Sequence, residues 1–243
     1  MTLETGSTKR IGLLAVDVDE VVEDDFHRLA SAVPGLELYT SRFSLGALDD
    51  ASSVLARVAD AAALLAPRAQ LDAVVFACAS GAAVLTHERV CEAVLNGRRA
   101  EMPVVTPVAA AARALDRISA RSVTLVTPYP DRLNEAIGRL LEQEGYRVVQ
   151  TTFIPSREYG AYSDVPPGVI AEHVEAAMRE AAADAAFIPC TALRVTPILA
   201  EIEGTVGRPV LAGNACMFWQ VMHLAGVRGR GPDMGHLFRA KPA

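Results

Sequence analysis

Residues 72–81, Asp-Ala-Val-Val-Phe-Ala-Cys-Ala-Ser-Gly, and residues 184–193, Asp-Ala-Ala-Phe-Ile-Pro-Cys-Thr-Ala-Leu, are two readings of one pattern. Each opens on Asp-Ala and runs through apolar residues to a cysteine. Small or hydroxylated residues follow, then a segment of helical character. A short apolar run between turn signals predicts a buried strand. Cys78 and Cys190 therefore fall at the carboxyl ends of two strands, the edge at which open α/β sheets bind ligands. One such cysteine per half predicts two similar α/β halves, residues 1–118 and 119–243, with a cleft between them. The last helix is free to cross back to the first half.

The flanking segments carry the same alternation. Ile11–Val16 is a continuous apolar run, Asp17–Glu20 a polar loop, and 23–33 a helix with acidic residues in its first turn. A strand is predicted over 36–42 and a helix over 49–66. After Cys78 come a helix over 81–95, a short strand over 103–106 and a helix over 108–118. In the second half, strands are predicted over 122–126, 147–153, 184–189 and 209–211. Helices are predicted over 131–144, 169–183, 196–203 and 215–224. The stretch 156–168 is rich in Tyr, Gly and Pro and too long to be mere connection. Strands alternating with helices imply parallel sheets covered on both faces.

Composition excludes several classes. The chain has 243 residues, 51% of them hydrophobic, enough for one large core or two small ones. Its net charge is −6 and it has no basic block, so neither nucleic acid nor an anionic membrane surface is an expected partner. Met1–Arg10 is polar and lacks an apolar signal region. No uninterrupted apolar run reaches the roughly 18 residues of a membrane span. The cysteines, Cys78, Cys91, Cys190 and Cys216, have no CxxC spacing. That argues against a zinc site or a disulfide framework and for a reducing cytoplasm. The apolar, Ala-rich helices point to a homo-oligomer.

A thiolate is a strong nucleophile, and a thiol is a proton donor with an unperturbed pKa near ~8.5. A strand-to-helix turn offers backbone N–H groups that favour an anion, whether the thiolate or a substrate carboxylate. Two such turns facing each other would hold a small carboxylate between two thiols, an arrangement suited to proton or addition chemistry on either face of one carbon. The bland alternative is that each cysteine is simply core. Cys91, in a helix pattern, and Cys216, at a helix start, read as packing residues. His27, His87, His173 and His223 show no metal spacing, and no metal is expected. Arg42, at a strand end, is either a partner for an anionic substrate or an ordinary surface group.

Four segments bring these residues together: Cys78-Ala79-Ser80-Gly81, Leu125–Tyr129 with Asn134 beyond it, Pro189–Leu193, and Gly207–Val210 running on to Trp219. In their order and spacing the chain resembles the Asp/Glu/hydantoin racemase superfamily, most of all its maleate cis-trans isomerase and arylmalonate decarboxylase branch. The resemblance implies two pseudo-symmetric, flavodoxin-like halves with the active site between them and no cofactor. It makes Cys78 and Cys190 the catalytic pair. Substrate contacts then come from Ala79, Ser80 and Gly81, from Thr127 and Tyr129, and from Thr191 and Ala192. Maleate isomerases resemble the chain in having both cysteines. Arylmalonate decarboxylases have only the counterpart of Cys190.

Two positions depart from that pattern. Maleate isomerases carry an Asn in the first strand–helix loop, where this chain has Asp19. A second expected Asn is replaced around Ser163-Asp164. A carboxylate at Asp19 would repel a substrate carboxylate or attract an ammonium group, and an Asp there is similar to the ectoine-utilisation branch. Asp19 is otherwise a solvent-facing acid at a helix start. The resulting expectation is a cofactor-independent isomerase or racemase acting on a small carboxylate or amino-acid derivative. Cys78, followed by small residues, is the nucleophile or base; Cys190, preceded by Pro189, which has no N–H, is the acid. An arylmalonate-type decarboxylase and a non-catalytic binder of small molecules remain open.

Overall fold

A computed structural model describes residues 8–46, 50–227 and 234–239. Asp49, expected to open the second helix, and most of the polar start lie outside these residues. The described residues form two four-stranded sheets. The first contains β1 (Lys9–Val16), β2 (Leu36–Phe43), β3 (Ala73–Ala77) and β4 (Val104–Val105), in the order β2-β1-β3-β4. The second contains β5 (Ser122–Thr127), β6 (Arg147–Phe153), β7 (Ala185–Ile188) and β8 (Val210–Ala212), in the order β6-β5-β7-β8. Every pairing is parallel. The second sheet thus repeats the first, as the repeated pattern predicts. The continuous apolar runs are central strands: β3, β5 and β7 are buried along their whole length, whereas the edge strands β2 and β6 are largely half-exposed.

The repeated Asp-Ala has a structural cause. Asp72 accepts the Arg10 backbone N–H at 2.8 Å, and Asp184 accepts those of Arg121 and Ser122 at 2.9 and 2.8 Å. Each carboxylate thus satisfies N–H groups at the start of the neighbouring strand, which fixes the register of the two central strands.

The helices are α1 (Val22–Ser31), α2 (Ala51–Leu64), α3 (Ala79–Leu85), α4 (His87–Arg98), α5 (Pro107–Arg117), α6 (Asp131–Gln143), α7 (Pro167–Glu180), α8 (Leu199–Val206) and α9 (Gly213–Leu224), with a short α10 (His236–Arg239). One expected helix, 81–95, is two. Thr86 adopts φ +65°, which breaks the hydrogen-bond ladder between α3 and α4. The helix expected from 169 starts at Pro167, where a ring that fixes φ suits the first turn. The stretch before it holds two short 3-10 turns, Ser156–Glu158 and Tyr162–Asp164. Thr196–Ile198 is also a 3-10 turn, and α8 begins only after it.

One buried cluster lies between the first sheet and α2 and α4. A larger one runs through both halves, with α1, α5 and α9 packed together. Phe26 of α1 meets Phe218 of α9 edge to face, with centroids 5.6 Å apart. Two such fully buried rings each contribute about 2–3 kcal/mol of burial energy. The last long helix therefore crosses back against the first half. Among the described residues no helix is long and apolar enough to cross a membrane.

Candidate active site

In a sheet of order 2-1-3-4 the connections diverge between the first and third strands, which opens a crevice at their carboxyl ends. The loop after β1 and the turn after β3 meet there in the first half. The loop after β5 and the turn after β7 meet there in the second. A cavity of about 350 Å³ joins the two crevices.

Cys78 caps α3. It has extended φ/ψ, and its sulfur accepts the Gly81 N–H at 3.2 Å and lies 3.6 Å from the Ser80 hydroxyl. Burial pushes its pKa up, the donors of Ser80 and Gly81 pull it down, and the Asp19 charge adds to the rise. Gly81 suits the close approach: a Cβ there would stand 3.0 Å from the Cys78 sulfur, which would have to give by a few tenths of an ångström. Cys190 is 4% exposed, and its thiol is pushed up to about 12. Burial is the main cause. The Tyr129 hydroxyl and the Ala192 N–H oppose it, and the charges of Asp19 and Cys78 reinforce it. The Tyr129 hydroxyl is itself held well above its ordinary pKa, first by burial and then by Cys190.

Asp19 is 3% exposed. Its Oδ1 accepts the N–H groups of Val21 and Val22 at 2.9 and 3.0 Å, the first donors of α1. Its Oδ2 accepts the Thr191 hydroxyl at 2.7 Å, from the turn that carries Cys190. The carboxylate therefore ties the two halves together beside both thiols. Behind it, Asp25 of α1 accepts the Thr196 hydroxyl and, at 2.9 Å, the Asn214 amide. The same amide donates to the Thr191 carbonyl at 2.9 Å.

The cavity is lined by Asp19, Cys78, Ser80, Tyr129, Ser163, Cys190, Thr191 and Ala192, which brings together most of the sequence candidates. Ala79, Gly81 and Thr127 are not among its lining residues. Ala79 packs into the core, and Gly81 serves the sulfur of Cys78. Thr127 turns away from the cavity: its hydroxyl donates to Asn134 at 2.6 Å and accepts the Tyr129 N–H at 3.2 Å. The Asn134 amide in turn holds the Tyr129 carbonyl, so the pair fixes the ring above it. Arg42 is consumed by the 17–19 loop. Its guanidinium donates to the carbonyls of Val16, Asp17 and Asp19 and to the Glu23 carboxylate. Cys216 is fully buried, whereas Cys91 is half-buried against His87 rather than core.

Sequence reasoning missed the apolar rim, Val16, Val18 and Leu45, and the loop residues Gly160, Ala161 and Tyr162. The length and Tyr/Gly content of 156–168 was the signal for the loop. Val18, hidden within an acidic tetrapeptide, gave none. Among the described residues no three His, Cys, Asp or Glu side chains are grouped to hold a metal ion.

The family model of arylmalonate decarboxylase matches residues 34–238. The chain belongs to the arylmalonate decarboxylase family. Within it, the chain is 22% identical over 137 residues to maleate isomerase of Alcaligenes faecalis, covering 56% of this chain and 54% of that one. It is 25% identical over 139 residues to arylmalonate decarboxylase of Bordetella bronchiseptica, covering 56% and 58%. The matched stretch thus spans just over half the length of each of these curated relatives. The fold is similar along the whole chain. A maleate cis-trans isomerase of Nocardia farcinica superposes with a TM-score of 0.82 at 22% identity, over 96% of this chain and 99% of that one. In that structure a cysteine-to-serine variant carries a covalently bound succinylcysteine intermediate.

Proposed function

We propose that the protein is a cofactor-independent isomerase or racemase that acts on a small carboxylate or amino-acid-derived substrate with two thiols, Cys78 and Cys190. The observation that carries this reading is that both thiols line one cavity, with the Gly81 N–H donating to the Cys78 sulfur at 3.2 Å. Cys78 first loses its proton to solvent, a step that the Ser80 and Gly81 donors favour against the cost of burial, and then adds as thiolate to one alkene carbon of an unsaturated carboxylate. The C–S bond forms, the π pair moves to the neighbouring carbon, and Cys190 gives that carbon a proton. The former double bond rotates. Cys190 takes the proton back, the C–S bond breaks, and the alkene reforms with the other geometry. On a saturated α-carbon the same pair acts as a racemase: one thiolate removes the α-proton and the opposed thiol returns one to the other face. The succinylcysteine of the Nocardia isomerase is the protonated thiol adduct such a sequence requires. Tyr129 and Ala192 stabilise Cys190 as a thiolate when it has given up its proton. Asp19 and Thr191 hold the two turns in register.

A decarboxylase of the kind that names the family needs one thiol at the position of Cys190. A second buried thiol with its own N–H donors favours the two-thiol reaction. The test is proton exchange and isomerisation in deuterated buffer across a panel of cis-enoates, α-substituted carboxylates and N-acyl amino acids. Cys78→Ala and Cys190→Ala should each lower turnover by about 10²–10⁴-fold while ligand binding persists. Full turnover in Cys78→Ala, with carbon dioxide released, would replace this reading by the decarboxylase. Binding without exchange or turnover in the native protein would replace it by the binder.

A further inference from the structure

One wall of the cavity is a segment with little of its own bulk to hold it in place. Gly160, Ala161, Tyr162 and Ser163 line the cavity, yet between the buried Ser156 and Val165 every residue is exposed or half-exposed. Within the segment Gly160 adopts φ +97°. The Asp164 carboxylate accepts the Ala161 N–H at 3.0 Å, and the Ala161 carbonyl accepts the Asp164 N–H at 3.1 Å. These bonds shape the segment without attaching it to the rest of the fold. Tyr129 and Arg194 do attach it. The Tyr162 ring meets the buried Tyr129 ring edge to face, with centroids 6.0 Å apart. The Arg194 guanidinium donates from Nε to the Ser163 carbonyl at 3.3 Å. Arg194 stands four positions after Cys190, so this bond ties the wall to the turn that carries one of the thiols. Arg194 also lines a second cavity of about 270 Å³, with Asp24, Asp25, Arg28 and Pro197, which leaves the guanidinium room to swing away from the carbonyl.

We propose that Arg194 is a positioning residue that latches residues 160–163 against the cavity and so sets the size of ligand that reaches Cys78 and Cys190. This deepens the function proposed above, and rests on the same cavity, by naming what limits its ligand. A hydrogen bond from a charged donor is stronger than one between neutral groups. Ser163 contributes its backbone carbonyl, so the latch holds the chain itself rather than one side chain. A segment with few buried apolar contacts opens at low free energy, and a single charged bond is then a large share of what keeps it closed. Once released, the segment would carry Tyr162 off the Tyr129 ring and take one wall from the cavity that both thiols line.

The gate can be read from the thiols themselves, without turnover. Iodoacetamide is a small alkylating agent and N-phenylmaleimide a bulky one. Their rates at Cys78 and Cys190 are followed on the full chain by peptide mapping. Arg194→Met keeps much of the stem's bulk and removes the donor. It should raise the N-phenylmaleimide rate severalfold relative to iodoacetamide at both thiols, and speed hydrogen exchange of residues 160–164 about tenfold. Arg194→Lys, whose ammonium can still donate to a carbonyl, should restore most of the native ratio. Gly160→Ala tests the wall from within: a side chain at φ +97° is strained, and the segment should open with Arg194 in place. A native ratio in Arg194→Met would overturn the proposal, above all if Gly160→Ala alone raises it. So would a change confined to Cys190, which would make Arg194 a support of its own turn. A lack of turnover on every substrate tried would strike the proposed reaction and leave these rates unaffected, so the two readings fail separately.

Discussion

The sulfur of Cys78 owes its position to a residue that has no side chain. Gly81 brings its N–H to 3.2 Å from that sulfur, and an added Cβ would stand 3.0 Å from the sulfur and 3.3 Å from the Phe76 ring. Gly81→Ala should therefore push the thiol off its donors. We expect a loss of stability of about 1–3 kcal/mol from overpacking, and slower alkylation of Cys78 by iodoacetamide while Cys190 keeps its own rate. An unchanged Cys78 rate, followed by peptide mapping, would show that the turn yields elsewhere. Both cysteines were legible because the repeat around them is a strand-end signature. The partner of Asp19 was not: its carboxylate meets Thr191, 172 positions along the chain, and no local pattern carries such a contact. Thr127 failed for a related reason. A strand-end hydroxyl can turn to the ligand or to its own helix, and here Asn134 claims it.

At the scale of elements, the turn that carries Cys190 is held from outside its own sheet. Asn214, at the start of α9, is 3% exposed and bridges the Asp25 carboxylate of α1 to the Thr191 carbonyl. Asn214→Ala would leave a buried carboxylate and a buried carbonyl each short of a donor, and should cost about 2–3 kcal/mol. If the bridge positions the site as well as stabilising it, the Cys190 alkylation rate should change severalfold in the folded variant, with Cys78 as the internal control. Equal rates at Cys190 would make Asn214 a stability residue alone. Most elements were readable from apolar runs and helical spacing because the central strands are buried on both faces. The break between α3 and α4 was not readable, since a Thr at φ +65° defies the residue's own preference. The surroundings impose that angle, and the local sequence does not announce it.

For the whole molecule, the doubling of one α/β unit was plain in the sequence, but the way the units meet was not. The seam is built of small residues, among them Ala110, Ala111 and Ala114 of α5 and Ala215 of α9, whose periodicity marks a buried face without naming its partner. The burial of the thiols has a measurable consequence for stability. Cys190 is raised to about 12 and Cys91 to about 11, and Cys78 and Cys216 are raised as well, in each case chiefly by burial. In the unfolded chain all four titrate near ~8.5. Below that pH both states hold their thiol protons, so the thiols add no pH dependence. Above it the unfolded chain releases protons that the folded chain keeps, and deprotonation favours unfolding. Each of the three buried thiols, Cys78, Cys190 and Cys216, should then remove about 1.4 kcal/mol of stability per pH unit until its folded pKa is reached, and the half-buried, solvent-screened Cys91 less. Urea unfolding at pH 8 to 10 should show this decline before the buried tyrosines contribute. Cys190→Ala should flatten the slope by about one thiol's share, ~1.4 kcal/mol per pH unit. The cavity left by that substitution lowers stability at every pH alike and cannot imitate a change of slope. An identical slope in native protein and variant would mean that the Cys190 thiol is reached by water and titrates as freely as in the unfolded chain.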